Sequence, residues 1–230
     1  MARRVTHTLD GTTATITMDD GKVNALSLEM LDELNAALDR AQRDRAIVVL
    51  TGREGVFSAG FDLAVLRDGG PPAAAMLQAG FDLAQRLLSF PTPVVMACSG
   101  HAIAMGAFLL LSGDHRIGVA GAPHKIVANE VAIGLTMPRA AVEIARQGLT
   151  PAPFQRAMNL AETFNPDSAV GAGFLDMVVA AGELLETAQT AASDLGGLDL
   201  AAHAATKQRT RDLRGIRAAV DADRADFATF

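Results

Sequence analysis

The sequence predicts an α/β fold, because segments with strand and helix patterns alternate along the chain. Residues 13–18 alternate polar and apolar side chains, which is typical of a half-buried strand. Residues 47–50 form a continuous apolar run that ends in Thr51-Gly52, the pattern of a strand buried on both faces, and residues 94–97 form a second buried strand before a Gly-rich turn. Helical segments separate these runs, so we expect crossover connections between the strands.

Two amphipathic helices are predicted between these strands. Ser27 is a suitable N-cap for the first helix, and Glu29 lies in its first turn. The apolar stripe of this helix repeats at helical spacing through Leu28, Leu31, Leu34, Leu38 and Ala41. The second helix aligns Met76, Gly80, Leu83 and Leu87. Between them, residues 69–72 (Gly-Gly-Pro-Pro) predict a loop that could move.

Helical patterns dominate the last third of the chain. An apolar stripe around Phe154 marks one helix, and Asn165–Pro166 has the N-cap and N1 arrangement of another. Residues 175–179 predict a short strand. The remainder is Ala-rich and helical, so we predict a core domain of residues 1–182 and a helical C-terminal subdomain of residues 183–230.

Composition limits the classes of function. The chain has 230 residues, of which 50% are hydrophobic, enough for a sizeable core. Its 20 Lys and Arg against 26 Asp and Glu give a net charge of −6, which argues against a general nucleic-acid binder. Cys98 is the single cysteine, so no intrachain disulfide can form, and a reducing, cytoplasmic location is the natural expectation.

Residues 94–113 are nearly uncharged and about as long as a bilayer span. The run changes its hydrophobic period halfway, where residues 98–101 (Cys-Ser-Gly-His) predict a turn between a buried strand and a short helix. We therefore expect a core segment and no membrane span. The five histidines show no metal-ligand spacing, and no metal site is predicted.

Three segments could carry chemistry. Residues 57–63 (FSAGFDL) and residues 100–106 (GHAIAMG) are Gly-containing junctions between a strand and a helix, where backbone N–H groups are left unpaired. Such N–H groups could stabilise an oxyanion, although glycine at such a junction is more often only a turn. The third segment contains Glu130 within an apolar stretch. Glu130 is either a desolvated general base with a raised pKa or a salt-bridged or surface carboxylate on an edge strand, and the residues alone favour neither.

Taken together, these segments resemble the crotonase (enoyl-CoA hydratase/isomerase) superfamily. Residues 24–26 (NAL) are similar to its early turn, and residues 57–63 match its F-S-A-G-x-D-L motif. Residues 100–117 match its second Gly-rich turn, Glu130 falls on its catalytic glutamate, and residues 174–179 match a later segment. The resemblance implies a crotonase-like spiral of ββα repeats with a helical C-terminal region.

The resemblance also implies a site. The backbone N–H groups of Phe61 and Met105 would hold the thioester oxygen of an acyl-coenzyme A substrate, with Glu130 as the catalytic base and no separate cofactor. The implied acyl-coenzyme A wall consists of Lys22, Asn24, Ala25, Leu26, Ala59, Gly60, Asp62, Leu63 and Phe108. Similar proteins are trimers, so the expected partner is the same chain, as a homotrimer or dimer of trimers.

The departures from the family pattern favour one subclass. Hydratases of the family use two glutamates, and the position of the first is occupied here by Phe108. The remaining acid lies in an Asn-Glu pair that is more similar to Δ3,Δ2-enoyl-CoA isomerases, for which one base suffices. The alternatives are an enoyl-CoA hydratase and a non-catalytic acyl-CoA binder. Met105 replaces a glycine usual in the second turn and could reshape the acyl slot.

Overall fold

The computed structural model describes residues 3–227. Within them, the strands are β1 (Val5–Asp10), β2 (Thr13–Met18), β3 (Ile47–Gly52), β4 (Gly55–Ser58), β5 (Val94–Ala97), β6 (Gly100–Ile103), β7 (His115–Val119), β8 (Ile126–Val127) and β9 (Met177–Val179). The helices are α1 (Leu28–Arg43), α2 (Leu63–Asp68), α3 (Gly70–Leu88), α4 (Met105–Leu111), α5 (Arg139–Gly148), α6 (Pro151–Leu160), α7 (Pro166–Ala172), α8 (Leu184–Leu195), α9 (Leu200–Thr210) and α10 (Leu213–Phe227).

The strands form two sheets. The larger has the order β1-β2-β3-β5-β7-β9, and the smaller has the order β4-β6-β8. Only the β1–β2 pair is antiparallel among the described pairs. From β3 onward, consecutive strands alternate between the sheets: β3, β5 and β7 join the larger sheet, and β4, β6 and β8 join the smaller one. One or more helices follow each such couple of strands. This is the spiral of ββα repeats, and the predicted crotonase-like α/β fold is confirmed.

Local sequence signals explain several element boundaries. The Ser27 hydroxyl accepts a hydrogen bond from the Met30 N–H at 3.3 Å, which caps α1 as predicted. Asn165 caps α7 in a capping box with Ser168. Every residue of β3 is buried, as its continuous apolar run predicts, because one face packs on the main core and the other on α8.

Two local predictions are wrong. Residues 69–72 do not form a loop, since α3 begins at Gly70. The two prolines fit because the first turn of a helix needs no N–H donors. The Gly100 segment is not a turn but strand β6, paired in parallel with β4. A Cβ on Gly100 would lie 1.8 Å from the Gly55 carbonyl carbon, so glycine is needed for this close pairing.

Residues 94–113 comprise β5, β6 and α4, so the prediction of a core segment is confirmed. Within residues 3–227, no helix combines the length and apolar composition that crossing a bilayer requires.

The last helices pack back onto the rest of the chain. α8 covers the outer face of the larger sheet, while α10 packs against α3 and α5. Pro138 is the N-cap residue of α5, and its side chain cannot accept a hydrogen bond from the helix. The Asp223 carboxylate of α10 caps α5 instead, because it accepts hydrogen bonds from the N–H groups of Arg139 and Ala140 at 3.0 and 2.8 Å. The predicted division at residue 183 stays a prediction.

Candidate active site

An apolar cavity of about 750 Å³ lies between the two Gly-containing junctions and the C-terminal helix. Several residues predicted for the site contribute to its lining: Ala59, Phe61, Leu63, Met105, Phe108 and Glu130. This volume is typical of pockets that bind small molecules. The structure therefore brings together segments that are more than seventy residues apart in the chain.

The first junction requires glycine at position 60. Gly60 has a φ of +85°, and a Cβ on it would lie 2.9 Å from the Ile103 carbonyl oxygen and 3.2 Å from the Met105 nitrogen. The absence of a side chain at Gly60 therefore lets the two junctions meet. Their backbones approach closely at the point where the sequence predicts two amide donors.

The backbone of Phe61 is oriented by its neighbours. The Leu26 N–H donates to the Gly60 carbonyl at 2.8 Å, and Leu26 and Phe61 form a parallel bridge. In a parallel bridge of this kind, the Leu26 N–H bonds to the residue before Phe61, and the N–H of Phe61 itself points away from Leu26. The Phe61 N–H therefore does not donate to the Leu26 segment.

The second junction carries backbone strain. Ala104 has φ 51° and ψ −124°, a conformation that glycine adopts readily and alanine does not. The turn directs the chain into α4, of which Met105 is the first residue. Its N–H therefore has no acceptor within the helix. The Met105 side chain is buried and contributes to the cavity wall.

Glu130 follows β8 and begins the 3₁₀ turn Val131–Ile133. Its side chain is buried, and no described group donates a hydrogen bond to Oε2. Burial raises the pKa of Glu130 to about 7, because the charged form loses hydration, and a hydrogen bond from its own N–H only partly opposes this effect. A carboxyl group with such a pKa exchanges protons readily near neutral pH.

Asn129 also lines the cavity, although the sequence assigned it no separate role. Its Oδ1 is buried and receives no hydrogen bond from the described residues. Phe108 is fully buried on α4 and contributes an aromatic wall where hydratases of the family carry a carboxylate. The cavity lining is thus mostly apolar, and its polar exceptions include Asn129, Glu130 and the paired Arg139 and Asp223.

Asn24 is among the predicted residues that the structure does not bring to the cavity lining. It is fully buried, and its Nδ2 donates to the carbonyls of Met18 and Phe57 at 3.0 and 3.1 Å. Its carbonyl accepts a hydrogen bond from the Ser58 hydroxyl at 2.8 Å. The Asn24 side chain therefore ties the early turn to β4 and is not free to contact a ligand.

The other predicted wall residues lie around this early turn. Lys22 is exposed, and the Ala25 N–H donates to the Asp20 carboxylate at 3.0 Å. The Asp62 side chain caps α2 through the Ala64 N–H at 2.8 Å. Together with Leu26 and Gly60, these residues lie outside the cavity lining. Their role as a coenzyme A wall through backbone contacts stays a prediction.

The sequence did not indicate the remaining walls of the cavity. They come from the segment after Glu130 and from α3 and α10, through Leu77, Phe81, Met137, Arg139, Asp223 and Phe227. Phe61, Phe81 and Phe227 form a series of ring contacts, with centroids 6.2 and 6.1 Å apart. No short motif marks these residues, because only the return of α10 onto α3 brings them to the cavity.

Other polar residues of the second junction have structural roles. Asp114 accepts hydrogen bonds from Lys207 at 2.6 Å and from Arg211 at 2.8 Å, which joins α9 to the end of α4. Arg116 pairs with Asp176 at 2.7 Å. His101 Nδ1 accepts a hydrogen bond from the Lys125 N–H at 2.9 Å. None of these side chains lines the large cavity.

The ββα spiral, with a cavity lined by both Gly-containing junctions and by Glu130, is typical of the crotonase class of protein. The sequence pattern of the family described as enoyl-CoA hydratase/isomerase matches residues 8–227. The chain therefore belongs to the enoyl-CoA hydratase/isomerase family.

Individual relatives carry both functional names. Human mitochondrial enoyl-CoA delta isomerase 1 is 30% identical over 214 residues, which are 90% of this chain and 71% of that protein. A solved structure described as a probable enoyl-CoA hydratase from Mycobacterium tuberculosis H37Rv is 50% identical, with a TM-score of 0.94 and coverage of 97% of this chain and 96% of that one. A structure described as the apo enoyl-CoA isomerase of Mycobacterium tuberculosis is also 50% identical, with a TM-score of 0.92 and coverage of 96% and 97%.

Proposed function

We propose that this enzyme moves the double bond of a 3-enoyl-CoA thioester to the 2-position, with Glu130 as its single acid–base group. The observation that carries the proposal is the buried Glu130 carboxyl, which has an unpaired oxygen in the same cavity as Phe61 and Met105. The other residue required of a two-glutamate hydratase is replaced by Phe108.

In the proposed reaction, the ionised Glu130 removes a proton from C2 of the 3-enoyl thioester. The electrons of that bond move toward the carbonyl, and the dienolate oxygen accepts hydrogen bonds from the N–H groups of Phe61 and Met105. The same carboxyl then returns the proton at C4, and the thioester carbonyl reforms. Each amide donor of this kind lowers a barrier by about 3 kcal/mol, roughly a hundredfold in rate.

The environment of Glu130 favours this chemistry. A base with a pKa near 7 is ionised in part of the population at neutral pH and is strong enough to remove a proton next to a thioester. The apolar wall that includes Phe108 limits water around the dienolate. In this proposal the substrate is a coenzyme A thioester in acyl-CoA metabolism. A cytoplasmic homotrimer or dimer of trimers stays a prediction.

A panel of 2-enoyl-CoA and 3-enoyl-CoA thioesters of several chain lengths tests the proposal with wild type and Glu130→Gln. We expect conversion of 3-enoyl to conjugated 2-enoyl thioester by the wild type, and a loss of about a thousandfold or more in the variant. Hydration of 2-enoyl thioesters without any isomerisation would favour the hydratase. Turnover of every thioester that is unaffected by Glu130→Gln would leave a binding protein as the better interpretation.

A further inference from the structure

The Asp20 carboxylate organises the loop between β2 and α1, residues 19–27, which we call the β2–α1 loop. Asp20 Oδ1 accepts hydrogen bonds from the N–H groups of Lys22 and Asn24 at 2.8 and 2.9 Å. Its Oδ2 accepts a hydrogen bond from the Ala25 N–H at 3.0 Å, and the Asp20 N–H donates to Asn24 Oδ1 at 3.1 Å. The backbone of this loop is therefore folded around one side chain.

The charge of Asp20 strengthens this arrangement. Burial by itself would raise the pKa of the Asp20 carboxyl, but the hydrogen bonds from the three N–H groups, together with a smaller attraction to Arg53, lower it. Asp20 is therefore ionised at neutral pH, and hydrogen bonds to an ionised acceptor are roughly twice as strong as neutral ones. They support a loop in which Asn24 has a φ of +53°, a conformation that is uncommon for residues other than glycine.

The β2–α1 loop in turn holds the first junction. The Ala59 N–H donates to the Val23 carbonyl at 3.0 Å. The Leu26 N–H donates to the Gly60 carbonyl at 2.8 Å. Because a trans peptide bond is planar, the Gly60 carbonyl and the Phe61 N–H lie in one plane and point in opposite directions. The hydrogen bond from the loop to this carbonyl therefore also sets the direction of the Phe61 N–H.

We propose that Asp20 is a positioning residue of the active site and acts on the Phe61 amide through the β2–α1 loop. The inference rests on the proposed function, in which that amide is an oxyanion donor. Asp20 is not among the residues that line the cavity, so it acts without contacting the acyl chain. The route is short, because the Ala25 N–H that Asp20 holds lies one residue before Leu26, whose N–H holds the Gly60 carbonyl.

A displaced Phe61 amide would affect the reaction more than substrate binding. A hydrogen bond weakens steeply as the angle at the donor departs from linearity. The thioester oxygen gains most of its negative charge in the transition state, so a misdirected donor costs more there than in the bound substrate. Loss of the Asp20 carboxylate should therefore lower kcat and leave KM nearly unchanged.

The test uses the full chain with a 3-enoyl-CoA as substrate. In Asp20→Ala, kcat should fall about tenfold or more while KM changes by less than about threefold. Asp20→Asn keeps one acceptor oxygen and loses the other, so its kcat should lie between those of wild type and Asp20→Ala. Asp19→Ala is the matched control, because the neighbouring Asp19 carboxylate accepts a hydrogen bond from the exposed Gly21 N–H at 2.9 Å, and its kcat should stay unchanged.

A double variant separates positioning from a general loss of structure. The Ser58 hydroxyl contacts the same loop through the Asn24 carbonyl at 2.8 Å and bonds to the Gly60 N–H. If Asp20 and Ser58 orient the same amide, Asp20→Ala/Ser58→Ala should lose less kcat than the product of the two single losses. A loss equal to that product would mean that the two residues act independently, and it would overturn the proposal.

The proposed function and this inference can fail separately. A wild type that isomerises no 3-enoyl thioester contradicts the proposed function. A wild type that isomerises, together with an unchanged kcat in Asp20→Ala, an equal fall in Asp19→Ala, or a raised KM at constant kcat, overturns the inference alone. If Asp20→Ala does not fold, Asp20→Asn takes its place, and a fall in kcat at nearly constant KM is again expected.

Discussion

The Ser58 hydroxyl donates a 2.8 Å hydrogen bond to the backbone carbonyl of Asn24, and the Ser58 hydroxyl oxygen accepts a 3.2 Å hydrogen bond from the Gly60 N–H. Ser58 is fully buried, so these bonds have no competition from solvent. They join the early turn to the residue just before Phe61. The side chain of Ser58 therefore positions the amide that we propose as the first oxyanion donor.

Ser58→Ala should reduce kcat for the 3-enoyl thioester by roughly tenfold to a hundredfold and change KM much less, because a misplaced donor affects the transition state more than binding. Steady-state kinetics of the variant, with its folding checked by circular dichroism, give the measurement. Ser89→Ala, which removes a hydroxyl bonded only within the end of α3, is the control and should retain full activity. An equal loss in both variants would argue against a positioning role for Ser58.

Gly60→Ala should abolish most activity. The new Cβ would lie 2.9 Å from the Ile103 carbonyl oxygen and 3.0 Å from the Ala104 Cβ, so the two junctions would have to separate. We expect a loss of at least about a hundredfold in kcat/KM, the effect of one lost amide donor. Gly11→Ala is the matched control, since Gly11 also has a positive φ but no atom within 4 Å of an added Cβ. Comparable activity in the two variants would contradict the close-approach explanation.

Ala104→Gly should stabilise the fold. Alanine at φ 51° and ψ −124° is strained, and the relief should exceed the backbone entropy that glycine loses on folding, leaving a net gain of about 1 kcal/mol. Urea unfolding of the variant measures the change. Ala161→Gly provides the comparison, because Ala161 has a milder left-handed conformation of φ 50° and ψ 39° and should gain less. A less stable Ala104→Gly protein would show that the strain is absent.

Glu130 should make activity and stability depend on pH in opposite directions. Burial raises its pKa from 4.5 to about 7, so the basic form and the isomerisation rate should both increase as the pH rises through about 7. Between these two values the native state binds more protons than the unfolded chain, and the free energy of unfolding therefore falls as the pH rises.

Glu130→Gln should remove this pH dependence together with the activity. The variant should be more stable than wild type by about 1 kcal/mol or more near pH 8, where the wild type buries an unpaired charge, and nearly equal near pH 5. Thermal unfolding at the two pH values measures the difference. Glu54→Gln, at an exposed position, should match wild type at both. A destabilised Glu130→Gln at pH 8 would mean that the carboxylate has a stabilising partner.

Three of the residues that the family resemblance implies for the site lie together in the structure. Phe61, Met105 and Glu130 come from three separate segments and all line one cavity, while their roles stay predictions. The resemblance also implies that Asn24 belongs to the coenzyme A wall. Its side chain donates hydrogen bonds to the carbonyls of Met18 and Phe57. A motif indicates that a residue matters without showing which atoms it contacts.

Features whose causes lie within a few residues can be predicted from the sequence. The Ser27 cap of α1 and the doubly buried β3 follow from local hydrogen bonding and from hydrophobic period. Residues 69–72 are the exception, because glycine and proline are compatible with both a loop and the first turn of a helix. Long-range packing selected the helix.

Which distant groups meet follows from long-range packing and not from local sequence. The contact of Gly60 with the Met105 backbone, the capping of α5 by Asp223 and the unpaired oxygens of Asn129 and Glu130 depend on segments separated by dozens of residues. The burial of those oxygens depends on all the elements that line the cavity. The pKa of Glu130 depends on that burial more than on its neighbours in the sequence. A single sequence states which groups are available, and packing decides which of them remain unpaired and therefore reactive.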